Sequence, residues 1–318
     1  MKQKNRKIVK AGFSEKQVKL DDGSIINYAE GPKNGKALLL IHGQTAAWRD
    51  YNPVLPKLKK NWHIFAVDCY GHGCSSHDNS KYYLDKNGSD LTWFVNHVIN
   101  KETIVSGHSS GGLLAAYIAA YGGNLIKGAV LEDPPVFSTE KGNFENTFVF
   151  HDTYKPLYDY IHSEQTECWE AYYMRNCLWG KLYMPKAMDG LANYAQKYRD
   201  KNPEKPVKYF FMPKSINIIF QYMREYDLKF GENFYNYSWH SGINHKDLMK
   251  EISIPAIFLH AEEAYSDNGI LLAASSNEQA RQAVELMRNC ELIELKSNHN
   301  IHRFNSKVFI NAINKIKT

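Results

Sequence analysis

Gly107-His108-Ser109-Ser110-Gly111-Gly112 is the stretch on which the fold turns. A short β-branched run, Thr103-Ile104-Val105-Ser106, precedes it, and the apolar, alanine-rich run 113–120 follows it as a buried helix would. Strand, G-x-S-x-G, helix is the context of a nucleophile elbow. The tight turn forces the serine into a strained, exposed position, and Gly107 and Gly111 lack the Cβ atoms that would clash there. Ser109 is therefore the candidate nucleophile. Glycine and serine are common in turns, so the pentapeptide alone also fits a plain strand-to-helix connection. Its flanks and the partners below select the catalytic reading.

Working outward toward the N-terminus, 18–20, 25–28 and 37–41 read as strands, with Asp21-Asp22-Gly23 as a hairpin turn signal between the first two. Ala37-Leu38-Leu39-Leu40-Ile41 is apolar at every position, as expected of a strand covered on both faces. It runs into His42-Gly43-Gln44, a turn that can aim the Gln44 main-chain N–H at the site beside Ser109. The Ser110 N–H would be the second donor, and the two would hold the oxyanion of a tetrahedral intermediate. An ordinary glycine turn is the alternative. His42, His108 and Trp48 flank these turns and are expected to contact substrate. A helix is expected over 51–60 and a buried strand over 63–68. Asp68 is read as structural, its carboxylate capping the 71–75 loop.

Downstream, a helix is expected over 89–100, with Ser89 and Asp90 as N-cap candidates, and a strand over 127–131 that ends in Glu132-Asp133-Pro134-Pro135. This alternation implies a mainly parallel sheet with helices on both faces and ligands beyond the strand C-termini. From 136 to 245 the alternation stops and aromatic residues crowd in at helical spacing. The segment reads as an all-helical insertion whose aromatics mostly form its own core. Strands over 254–259 and 291–295 and helices over 277–288 and 305–317 then resume the pattern. The expected organisation is a core of 1–135 and 246–318 with a helical cap, 136–245.

The chain has 318 residues and a net charge of +5 that is spread along its length. Lys2, Lys4, Arg6, Lys7 and Lys10 form the only dense basic run, read as a solvated tail rather than a nucleic-acid arm. No apolar h-region follows it and no long apolar span occurs, so neither a signal peptide nor a membrane helix is expected, and a cytoplasmic location is. Cys69, Cys74, Cys168, Cys177 and Cys290 are odd in number and unclustered, which favours reduced thiols. His42, His63, His72, His77 and His108 lie on different expected elements without an H-x-x-x-H pair, so structural roles are expected and no metal. The elbow has no G-x-G-x-x-G and no G-K-[ST], so no cofactor is expected either. The expected partner is a small-molecule substrate, with no nucleic acid and no membrane, and no motif speaks to oligomeric state.

His42-Gly43, Asp68 with Gly71 and Gly73, the 107–112 elbow and His299 near the end, in this order and spacing, resemble the α/β-hydrolase family, specifically its cap-bearing members. The resemblance covers about 24–135 and 248–317. It implies an α/β fold: a mainly parallel, eight-stranded-type sheet with helices on both faces plus an inserted helical cap, and a serine-hydrolase mechanism. His299 is then the candidate base, because its loop follows the last strand and Ser, acid, His is the family's chain order. Similar proteins carry Gly-His-Asn there, whereas here Asn298 replaces the glycine. His302 is the competitor. Many members carry the acid four residues beyond the penultimate long strand, where this chain has Ala264. A subset takes it from the end of the strand after the elbow helix, which here is Asp133. Asp133 is favoured, with Glu262, Glu263 and Asp267 as fallbacks; Glu132, one residue away on a strand, is expected to point the other way. A serine at the elbow argues against the haloalkane and epoxide branches, which use aspartate. An esterase or lactonase acting on a hydrophobic or aromatic substrate fits best. Carbon–carbon bond or amide hydrolysis on the same triad, and a non-catalytic small-molecule receptor or degenerate hydrolase, are the alternatives.

Overall fold

The computed structural model describes residues 6–316. Strands β1 (Ser14–Lys19), β2 (Ile25–Glu30), β3 (Lys36–Ile41), β4 (Trp62–Val67), β5 (Thr103–His108), β6 (Ile126–Glu132), β7 (Ala256–Ala261) and β8 (Cys290–Leu295) form one sheet in the order β1-β2-β4-β3-β5-β6-β7-β8. β2 pairs antiparallel with β1 and β4, and every other pairing is parallel. The apolar run in β3 serves both faces, since successive side chains point to opposite sides. Leu39 and Ile41 join the cluster that holds Leu113 and Leu131, and Leu38 and Leu40 join the one that holds Ile64 and Phe309. Strand order reverses around β3, leaving the crevice for a ligand at the carboxyl ends of β3 and β5.

Register sets the level of the site. His108 lies opposite Glu132 on β6, and Glu132 opposite Leu259 on β7. Ser109, Asp133 and His260 are therefore the next residues on three neighbouring strands, and the ladder carries on through them. The Ser109 N–H donates to the Glu132 carbonyl (2.9 Å) and the Asp133 N–H to the Leu259 carbonyl (2.8 Å).

Several element boundaries differ from those expected. The first strand is Ser14–Lys19 rather than 18–20, because it pairs with β2 along its full length. The helix expected over 51–60 is a 3-10 turn, Trp48–Tyr51, and one α-turn, Leu55–Leu58, since Pro53 and Pro56 cannot donate the N–H groups a continuous helix needs. The helix expected over 89–100 starts earlier, spans Leu84–Phe94 and continues as a π-turn, Val95–Ile99. Ser89 and Asp90 are thus mid-helix rather than N-caps; Asp90 accepts from Tyr70 and Lys81 instead. Packing explains the early start: Leu84 and Leu91 are buried, and Gly88 lets the Tyr117 ring lie against the helix. The basic N-terminal run is not all a solvated tail. Arg6–Lys10 is a short helix that buries Ile8 among Phe13 and its neighbours, whereas Lys2 and Lys4 lie outside the described residues. The last helix is Ser306–Lys315, with the expected Lys317 also outside them.

Between β6 and β7 no strand forms among the described residues. The segment builds the helices Lys155–Ile161, Trp169–Asn176, Leu178–Tyr183, Met188–Lys201, Lys214–Arg224 and Leu228–Tyr235. Its interior is aromatic: Phe234 stacks on Tyr154 at 5.3 Å and on Trp239 at 4.2 Å between ring centroids. It is fastened to the sheet-borne loops through Arg49, paired with Glu225, and through Gln44 Nε2, which donates to the Tyr226 hydroxyl at 2.6 Å. Tyr226 and Phe230 also pack on His72. Among the described residues no helix is long and apolar enough to cross a membrane, and no cysteine is in a disulfide.

Candidate active site

Ser109 sits between β5 and the helix Ser110–Tyr121 with φ +55° and ψ −125°, a region that residues with a Cβ rarely occupy. Close packing makes the turn possible. A Cβ on Gly107 would stand 1.9 Å from the Gly111 carbonyl oxygen, and one on Gly111 would stand 2.3 Å from that of His42. Both positions must lack a side chain so that the strand can turn into the helix beside β3.

Asp133 leaves β6 at the same level with a positive φ of +44°. Its carboxylate is fully buried, which for an unpaired charge costs several kcal/mol. It is not unpaired. His299 Nδ1–H donates to Oδ2 at 2.6 Å, and His260 Nδ1–H (3.3 Å) and the Ala261 N–H (3.1 Å) donate to Oδ1. Burial pushes this carboxyl up, but the hydrogen bonds from His260 and His299 outweigh it and hold Asp133 well below the usual carboxylate range. For His260 burial acts downward, and the Asp133 carboxylate outweighs it, so its basicity is raised. The His299 side chain keeps 39% of its surface exposed, so an imidazole oriented from below by a buried carboxylate faces outward. The Ser109 hydroxyl makes no hydrogen bond among the described residues, so the structure joins His299 to Asp133 and leaves the link from Ser109 to His299 open. Apo geometries of this kind tighten when substrate binds.

The His42-Gly43-Gln44 turn lies against the elbow: a Cβ on Gly43 would be 2.9 Å from the Ser109 Cβ. The main-chain N–H groups of Gln44 and Ser110 donate to no protein acceptor among the described residues, whereas the Thr45 N–H is taken by His72 Nε2 at 3.2 Å. Two undirected donors thus remain beside Ser109.

Three expected substrate contacts are corrected. His42 is buried and spends both nitrogens on main chain, donating from Nδ1 to the Gly43 carbonyl (2.6 Å) and accepting at Nε2 from Cys69 (3.0 Å). Trp48 packs in the core on the β1 side, its indole N–H on Glu15. His108 is buried, with Nε2–H on the His299 carbonyl at 3.2 Å. All three brace the loops. The fallback acids are also elsewhere. Glu263 accepts from the Asn277 N–H, and neither Glu262 nor Asp267 makes a hydrogen bond to His299. His302 is wholly buried: its main-chain N–H and Nδ1 donate to Glu132, and Nε2 donates to Asp50. Asp68 accepts from the N–H groups of Cys74 and Trp48 and from the Asn27 amide. His260 was missed. Its position at the end of a buried strand was readable, but nothing local signals a contact with a carboxylate 127 residues earlier.

A family profile described as alpha/beta hydrolase fold matches residues 36–156. Over 90 residues the chain is 33% identical to the magnesium-chelatase 30 kDa subunit of Rhodobacter capsulatus, covering 28% of this chain and 32% of that protein. It is 30% identical over 122 residues to a serine hydrolase-like protein of Danio rerio, covering 38% and 37%. The chain thus spans about a third of the length of these relatives. An esterase from Rhodococcus sp. ECU1013 superposes with a TM-score of 0.66 at 19% identity, over 96% of this chain and all of that one. The eight-stranded sheet, the serine-bearing turn after β5, the profile match over 36–156 and this superposition show that the chain has the α/β-hydrolase fold.

Proposed function

We propose that this protein is a serine hydrolase cleaving a carboxylic ester or lactone of a small hydrophobic or aromatic substrate. The observation that carries the reading is the 2.6 Å bond from His299 Nδ1 to the buried Asp133 carboxylate, at the level of a strained, partly exposed Ser109. Asp133 fixes the tautomer that leaves the His299 Nε2 lone pair free to act as general base. Ser109 Oγ attacks the acyl carbon as its proton passes to Nε2, and the oxyanion takes the Gln44 and Ser110 N–H groups. Collapse breaks the bond to the alcohol oxygen, which takes that proton; in a lactone the alcohol stays tethered to the acyl group. Water then adds to the acyl-enzyme by the same route, releasing the acid and restoring Ser109. The aromatic helical insertion, touching Gln44 through Tyr226, serves as the cap over this site.

The test is intact-mass analysis after exposure to a fluorophosphonate. One adduct on the wild type, absent from Ser109→Ala, is expected; no adduct, or one that survives the substitution, overturns the reading. The open Ser109–His299 link favours a second reading, a small-molecule receptor without turnover, which predicts saturable binding with no adduct and no hydrolysis of activated esters.

A further inference from the structure

The loop after β8 carries two histidines, and consecutive carboxylates at the end of β6 grip both. Asp133 takes His299, and Glu132, on the opposite face of the strand, takes His302: the His302 N–H donates to Oε1 at 2.7 Å and Nδ1–H at 2.8 Å. The far side of the same imidazole, Nε2–H, donates to Asp50 Oδ2 at 3.1 Å, and Asp50 is also paired with Arg303. Every member of this chain except Arg303 is buried. Both His302 nitrogens face carboxylate oxygens, which only accept, so the ring is an imidazolium. Two anions and two cations balance, which is the condition for keeping such a cluster out of water.

A third histidine joins the two grips. The His108 ring lies between them, its centroid 4.5 Å from that of His299 and 5.2 Å from that of His302. Its Nε2–H holds the His299 carbonyl, so the residue before Ser109 is tied to the backbone of the candidate base. That bond leaves Nδ1 as a buried lone pair without a partner. Asp50, His108 and His302 are close enough together to suggest a cation site. The occupied partners argue otherwise: His302 Nε2 already donates to Asp50, and Arg303 already neutralises it.

We propose that Glu132, His302 and Asp50 are positioning residues that hold the His299 loop against Asp133 and the elbow, an inference that rests on the serine-hydrolase reading for its kinetic consequence. The Asp133 bond fixes the His299 ring and the His108 bond its carbonyl, and with these two holds alone the loop beyond His299 can still pivot about them. The Glu132 grip three residues later, on the other face of the same strand, removes that freedom.

The experiment compares wild type, Glu132→Gln, Glu132→Asp and Asp50→Asn. It follows hydrolysis of a p-nitrophenyl ester, thermal unfolding, and the low-field proton resonance of His299 Nδ1–H, assigned by its loss in His299→Gln. Glu132→Gln is expected to lower kcat about 10- to 100-fold with KM within about twofold, as misplacement of a reacting group does. It is also expected to shift or broaden the resonance in protein that remains folded at the assay temperature, with Glu132→Asp recovering part of both. If Glu132→Gln does not fold, Asp50→Asn, which removes only the outer partner, carries the same expectation in smaller measure. Unchanged kcat and an unchanged resonance overturn the proposal, as does a lowered melting temperature with full activity per folded molecule. The resonance reads the His299–Asp133 geometry without turnover, so the proposal stands or falls on it even if the fluorophosphonate test refutes the hydrolase reading.

Discussion

His299 Nδ1 and Asp133 Oδ2 are 2.6 Å apart although 166 residues separate them, and the carboxylate is buried while the imidazole reaches the surface. A pair built this way orients the ring from below and leaves its other nitrogen for chemistry. Asp133→Asn keeps the volume but cannot act as the same acceptor. Ester hydrolysis is expected to fall about 10³- to 10⁴-fold in kcat, with the protein still folded by circular dichroism.

Acid should weaken the native state through the same residue. The Asp133 carboxyl titrates below its unfolded value of about 4, so its stabilisation is present above that pH and is lost as pH falls toward the folded value. Melting temperatures taken from pH 6 down to about pH 3 should fall more steeply for wild type than for Asp133→Asn; equal slopes would count against this coupling.

His302 gives the opposite dependence. Burial opposes its charge, but Glu132 and Asp50 raise it to about 9. Its contribution is complete below the unfolded value of about 6.5 and is lost as pH rises through the folded value, at about 1.4 kcal/mol per pH unit in between. Wild type is expected to lose stability to urea between pH 6.5 and 9, and His302→Gln to lose less over that interval while being weaker throughout.

Strain at the elbow can be read out separately from chemistry. Ser109→Gly should abolish hydrolysis yet raise stability by about 1 kcal/mol, because glycine tolerates φ +55°. Ser109→Ala keeps the Cβ and should leave the urea midpoint near wild type.

The two close-approach glycines should behave differently from Ser109. A Cβ at Gly107 or Gly111 meets backbone oxygens at 1.9 and 2.3 Å, and backbone cannot swing aside as a side chain does. Gly107→Ala and Gly111→Ala are each expected to cost more than about 3 kcal/mol, seen as loss of the cooperative urea transition or of soluble protein.

How much of this was legible beforehand depends on how local the cause is. The elbow, the apolar β3 run, the mainly parallel alternation and the role of Asp68 were readable because each rests on periodicity or on turn chemistry within a few residues. Element ends were read less well: the start of the helix at Leu84 depends on Tyr117 packing against Gly88, a contact no local pattern announces.

The sequence by itself determined which residues must turn tightly, which must be apolar on both faces and in what order the strands and helices come, since those demands act through neighbouring backbone. Only the tertiary structure decided which acid meets which histidine. Strand alternation separated Asp133 from Glu132 and the resemblance favoured His299 over His302, but that Asp133 meets His299 across 166 residues and Glu132 meets His302 across 170 is in no local pattern. Strand register and the alternation of side chains across β6 send Asp133 to His299 and His260 and Glu132 to His302. Burial then turns His42, His108 and Trp48 into braces: both His42 nitrogens and the Trp48 N–H are spent on protein partners, and His108 spends Nε2 on the His299 carbonyl while its Nδ1 lies buried.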